Sequence, residues 1–153
     1  MKNSGSSLVV TNPETTWRFL TEEEYLSRII PGCESITRVG DATYEAVVSI
    51  GIAAIRGRYR LAVRILDMEF PRKLVLGING TGPTGFLEMR LAVNLEPSGE
   101  RGTTLNWESE SQVGGLLANF GTRILSGAAG LISSQFFDHL TALAASSPIS
   151  RAE

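Results

Sequence analysis

Cysteine and histidine are almost absent from this sequence, with Cys33 and His139 the only ones among 153 residues. That scarcity excludes a disulfide framework and a zinc site built from several Cys and His ligands. It also leaves little with which to assemble a Ser-His-Asp or Cys-His catalytic machine. Charge is nearly balanced, 16 acids against 14 bases for a net of −2, so nothing global points to nucleic acid. No uninterrupted apolar run reaches the eighteen or so residues of a membrane span. Residues 1–7 are small and polar and lack the apolar stretch of a signal peptide. They read as a frayed terminus or an expression remnant, and a cytoplasmic protein is expected. Without a secretory signal, the Asn79-Gly80-Thr81 glycosylation sequon is a chance match. What is present is ordinary for a globular chain, 42% apolar and 20% charged residues, in a length that suits one hydrophobic core.

The apolar pattern changes period twice. A short apolar segment, Leu8-Val9-Val10, ends at Asn12-Pro13, where Asn suits a helix N-cap and Pro the first helical turn. A short helix through Trp17 and Leu20 follows. Thr21 and Glu24 form a capping-box pattern ahead of a second helix over 22–29, which Pro31-Gly32 stops. From Ile36 to Gln112 the period is two. Runs at 44–52, 58–65, 74–78, 87–96 and 105–108 alternate apolar with polar or charged residues, as half-buried antiparallel strands do. Gly40-Asp41, Pro71, Gly80 to Gly85 and Pro97-Ser98-Gly99 supply the turns. Val113 to Ala144 then reads as one long helix with an apolar stripe of Leu116, Leu117, Phe120, Ile124, Leu131, Ile132, Phe136 and Leu140. Its other face is rich in Gly, Ala and Ser, which suggests tight contact with its own sheet.

Each candidate chemical feature has a plainer explanation. Gly80-Thr81-Gly82-Pro83-Thr84-Gly85 satisfies GxGxxG, yet a dinucleotide loop needs a helix next, and residues 86–95 alternate like a strand. A glycine-rich hairpin turn is expected. Arg56, Arg58, Arg60 and Arg64 share one strand face and read as a solvated outer surface paired with acids such as Glu45 or Glu88. His139 reads as a last-turn complement to the helix dipole, and Cys33 as a small buried residue without a cationic activator. Glu108 and Glu110 share a strand face as an exposed acidic edge.

Several blocks together resemble a known family. Asn-Pro-Glu-Thr-Thr-Trp at 12–17, Ile-Pro-Gly-Cys-Glu-Ser-Ile at 30–36, Tyr44-Glu45-Ala46, Gly82 with Gly85, Gly102-Thr103-Thr104-Leu105 with Trp107, and the stretch from Val113-Gly114-Gly115-Leu116 to Phe136-Phe137 fall in the order seen in the CoxG family of carbon monoxide dehydrogenase subunits. That family is similar to the wider START-like, or SRPBCC, ligand-binding proteins. The resemblance covers the chain from Val9 to Leu143. It implies an α+β helix-grip fold, a curved antiparallel sheet of about seven strands around a long C-terminal helix, with two short helices after the first strand. It further implies an apolar cavity between helix and sheet, a quinone- or lipid-like small molecule within it, and a partner molybdenum hydroxylase such as carbon monoxide dehydrogenase. Longer relatives carry a C-terminal extension that touches the membrane. Residues 146–153 are short and polar, so transient contact at the inner face of the membrane is expected rather than anchoring.

The expected organisation is a disordered tail over 1–7, one domain over 8–145 and a disordered tail over 146–153. Residues expected to line the cavity are Ile50, Leu61, Leu91, Trp107, Leu116, Phe120 and Ile124. They would hold a ligand by burial, with few polar groups to orient it. No catalytic residue, metal or cofactor is expected. The alternative is a cyclase- or aromatase-type enzyme acting in the same cavity, which would need polar groups converging inside. A third reading, a structural interaction partner, would hold if side chains filled the interior.

Overall fold

The computed structural model describes residues 1–52, 55–100 and 102–146. Seven strands form one antiparallel sheet: β1 (Lys2–Val9), β2 (Cys33–Gly40), β3 (Thr43–Ile52), β4 (Ile55–Glu69), β5 (Lys73–Gly82), β6 (Gly85–Ser98) and β7 (Gly102–Gly114). Helices α1 (Pro13–Thr21) and α2 (Glu23–Ile29) follow β1, and α3 (Gly121–Ser146) is the last element among the described residues, after a 3-10 helix over Gly115–Phe120. The strand order is β1-β7-β6-β5-β4-β3-β2. Strands β2 to β7 are therefore a simple meander, and β1 returns to pair along β7. This is the expected α+β helix-grip architecture.

Local chemistry accounts for the helical starts. Asn12 Oδ1 accepts from the Thr15 N–H at 2.8 Å, and Pro13 occupies the first turn of α1. The α1–α2 junction departs from the capping-box expectation. Thr21 ends α1, its Oγ1 donates to the Trp17 carbonyl, and Glu22 caps α2 without a side-chain bond.

Three other expectations are corrected. Residues 1–7 are not a disordered tail, because Lys2 to Val9 pair with β7 from Glu110 to Thr103. Backbone pairing satisfies them without an apolar signal, and alternating burial leaves Gly5 against the Trp107 ring. The final helix begins at Gly121, not Val113. Gly115 and Gly121 take φ of +70° and +82°, left-handed values that break a helix, so Val113 stays in β7 and Leu116, Leu117 and Phe120 fall in the 3-10 helix. The small residues of α3 meet the core only in part: Ala128 and Ala144 are buried in it, but a Cβ added at Gly127 or Gly130 would meet nothing within 4 Å. The expected C-terminal tail lies outside the described residues from 147 onward.

The glycine-rich segment is a hairpin. Gly82 pairs with Gly85 across a two-residue Pro83-Thr84 loop, and a strand rather than a helix follows. Gly82 lies against the Tyr59 ring, where any Cβ would overlap the ring carbons. Tyr59 Oη hydrogen-bonds Thr84 Oγ1. The arginine face of β4 is exposed, and Arg58 pairs with Glu34 at 3.0 Å rather than with Glu45 or Glu88. Glu108 and Glu110 are likewise exposed. His139 sits about two turns before the end of α3 and hydrogen-bonds the Ile29 carbonyl through Nδ1 at 3.2 Å, so it ties α3 to α2 instead of complementing the dipole.

Candidate functional site

The inner face of the sheet is closed at its ends and looser in its middle. One buried cluster joins Val9, Phe19, Ile29, Leu74, Val93, Leu95 and Leu105 to Leu140 and Ala144 of α3. Trp107 and Phe137 stack beside it at 5.6 Å. A second cluster joins Val48, Ile55 and Tyr59 to Leu117 and Ala128, near the other end of α3. Ile30 packs against both. Leu95 and Leu105 are 1% and 0% exposed, so the first end is sealed.

Between the clusters, cross-strand register aligns two apolar rows. Ile65, Leu76 and Leu91 pair in sequence across β4, β5 and β6, and Val63, Ile78 and Met89 form the next row. All six are only half-buried, and Val63, Ile65, Leu76 and Leu91 pack against the edge of the first cluster. The rows end on β7 at Ser109 and Ser111, both buried. Tyr44 of β3 heads the second row through its pairing with Val63. It is 3% exposed, and its Oη donates to the Thr21 carbonyl at 2.5 Å.

The seven expected lining residues divide. Leu91 and Trp107 pack against the first cluster, whereas Ile50, Leu61 and Phe120 pack against the second. Leu116 and Ile124 are 59% and 46% exposed: Leu116 lies in the 3-10 helix and Ile124 in the first turn of α3, so the two do not share one continuous helical stripe. Val63, Ile65, Leu76, Ile78 and Met89 were not among the expected lining, although all five belong to alternating runs in the apolar phase, Met89 in the same run as Leu91.

Beyond the apolar rows lies a cleft of about 570 Å³, lined by Trp17 and Thr21 of α1, Glu22 to Glu24, Arg38 and Asp41 with Ala42, and Tyr44, Ile65 and Met68. Burial raises the Tyr44 phenol above its ordinary value; Arg38 works against this, and Glu23 and Glu22 add to it. Burial also pushes the Cys33 thiol up, a shift partly offset by a backbone hydrogen bond with Ser35. Among the described residues no group of three His, Cys, Asp or Glu side chains could hold a metal ion. No helix there is long and apolar enough to cross a membrane.

With this geometry the comparisons agree. The sequence profile of CoxG, a subunit of carbon monoxide dehydrogenase, matches residues 5–144. The chain belongs to the CoxG family. A crystal structure of a conserved protein from Geobacillus kaustophilus is 33% identical, with 92% of this chain and 93% of that one covered and a TM-score of 0.88. A START superfamily protein from Mycobacterium smegmatis is 12% identical over 92% and 94% of the two chains, with a TM-score of 0.76. The di-domain ARO/CYC BexL of the BE-7585A biosynthetic pathway is 14% identical, and 45% of its chain corresponds to 92% of this one at a TM-score of 0.70. The last two carry the fold alone. Comparison with curated proteins gave no match. As a CoxG-family chain with a START-like fold, the protein has the architecture of a ligand-binding domain.

Proposed function

We propose that this CoxG-family protein is a non-catalytic carrier that holds a lipophilic, quinone- or lipid-like molecule between α3 and the middle of the sheet. One observation carries the reading: six Ile, Val, Leu and Met side chains in two registered rows stay half-buried while both ends of the same face are packed. Apolar surface left accessible inside a fold is stabilised by whatever apolar body covers it, at about 25 cal/mol per Å². The site residues proposed are Ile50, Leu61, Leu91, Trp107 and Phe120, with Ile65, Leu76 and Met89 added from the rows.

The family name supports an accessory role beside a molybdenum hydroxylase such as carbon monoxide dehydrogenase, with transient membrane contact to collect or deliver the ligand. A cyclase would need several polar groups converging where the half-buried rows carry hydrocarbon. Uptake of N-phenyl-1-naphthylamine, followed by its fluorescence, tests the carrier reading. Phe120→Glu should abolish the signal while circular dichroism stays native. Unaltered uptake in that folded variant would refute the assignment.

A further inference from the structure

The cleft beside α1 borders the proposed site, sharing Tyr44 and Ile65 with its rows. Its floor contains Tyr44 and Ile65, the residues that head the two half-buried rows. Met68, 58% exposed, and the Trp17 ring extend the apolar floor outward. Around it stand four carboxylates, Glu22, Glu23, Glu24 and Asp41, against one guanidinium, Arg38.

Existing pairings leave the rim negative. Arg18, outside the lining, binds Glu22 at 2.7 Å, and Arg28 approaches Glu24 at 3.9 Å. Glu23 and Asp41 have no ion-pair partner among the described residues. Arg38 stacks over the Tyr44 ring and gives its Nε–H to the Gly40 carbonyl, so the one cation of the lining is already engaged.

We infer that this cleft is the mouth through which the ligand passes, and that its carboxylate rim selects lipophiles without an anionic head group, rejecting fatty acids and similar amphiphiles. The inference rests on the carrier reading above. An amphiphile entering tail first along the rows leaves its head at the rim, beside Glu23 and Asp41. Each unscreened charge about 5 Å away changes affinity by a factor of roughly four even in water, so two distinguish opposite head groups by at least about tenfold.

The test is displacement of N-phenyl-1-naphthylamine, an uncharged probe, by dodecylamine and by dodecanoate, which share a tail and differ in head charge. At about 10 mM salt, where the screening length is about 30 Å, the amine should compete at least roughly tenfold better. At about 1 M salt, with a screening length of about 3 Å, the preference should shrink toward unity. The double variant Glu23→Lys/Asp41→Lys alters two exposed side chains. It should erase or invert the preference while probe affinity stays within about twofold, as expected for a purely electrostatic change. If the probe binds and the amine-to-acid ratio is the same in wild type and double variant, the rim does not select and the inference is overturned. If wild-type protein takes up no probe, the carrier reading fails first and the inference with it.

Discussion

Truncating two leucines on the same sheet face should separate a sealed end from an open middle. Leu105 is wholly buried in the first cluster, and Leu91 is half-buried in the row that continues from Ile65 and Leu76. Leu105→Ala removes about three methylene equivalents and leaves a closed cavity that neighbours cannot fill, so about 3–4 kcal/mol is expected. Leu91→Ala removes the same atoms from a half-solvated position and creates no closed cavity. Only the buried part of the transfer energy is lost, about 1–1.5 kcal/mol. At about 2–4 °C per kcal/mol for a chain of this size, the melting temperatures should fall by roughly 6–16 °C and roughly 2–6 °C. Ligand binding should rank them the other way. Leu91→Ala should weaken N-phenyl-1-naphthylamine by up to about tenfold, the loss of about 1.2 kcal/mol of contact, and Leu105→Ala should leave the folded fraction binding normally. Thermal unfolding by circular dichroism and a fluorescence titration measure both. Equal destabilisation with unchanged binding would mean that side chains fill the middle, and the protein would then be a structural partner rather than a carrier.

Other substitutions probe the frame around the site. Gly32→Ala forces a Cβ into a φ of +69° and into overlap with the Ser49 carbonyl oxygen, so a loss of at least about 2 kcal/mol in urea unfolding is expected. Gly99→Ala at φ +67° meets nothing within 4 Å and should cost only about 1 kcal/mol. Tyr44 has a phenol raised above its ordinary value, so the neutral form is the one favoured by folding. Its contribution is complete below the unfolded pKa near 10 and is lost as pH rises through the higher folded value. The stability advantage of wild type over Tyr44→Phe in urea titrations should therefore shrink above about pH 10. Burial of Cys33 disfavours its thiolate, and reaction with a disulfide reagent at neutral pH should be slower than that of free cysteine.

Much of this arrangement was legible because strands advertise themselves through period two. Tyr44, Val63, Leu76 and Leu91 all stand in the apolar phase, and register then brings them together with no further instruction. The start of α3 was not legible. Leu116, Leu117 and Phe120 continue a helical spacing, and only the left-handed backbone at Gly115 and Gly121 shows that the chain leaves the helix there. A glycine in a sequence does not disclose its φ. The N-terminal part of the first strand, residues 2–7, was missed for a related reason, since its backbone pairs along β7 whatever its side chains, and Gly5 and Ser7 carry no apolar signal. The cleft was hidden more deeply, because Glu23, Asp41 and Met68 belong to three separate segments and only the fold brings them to one rim.

The two packed clusters explain how a small domain can leave apolar surface open in its middle. Leu140 and Ala144 fix one part of α3 over Val93, Leu95 and Leu105, and Ala128 fixes another beside Val48 and Tyr59. A helix rises about 1.5 Å per residue, so these anchors lie about 18 Å apart, from residue 128 to residue 140; Phe136 and Phe137 pack on the first cluster, which leaves a stretch of about 12 Å after Ala128 without a core anchor. Leu131 is exposed and Ile132 half-buried between them. The stability of the fold thus resides in its ends, where truncation is costly. The apolar middle is free to vary its contents, so substitutions there should change what is bound more than whether the chain folds.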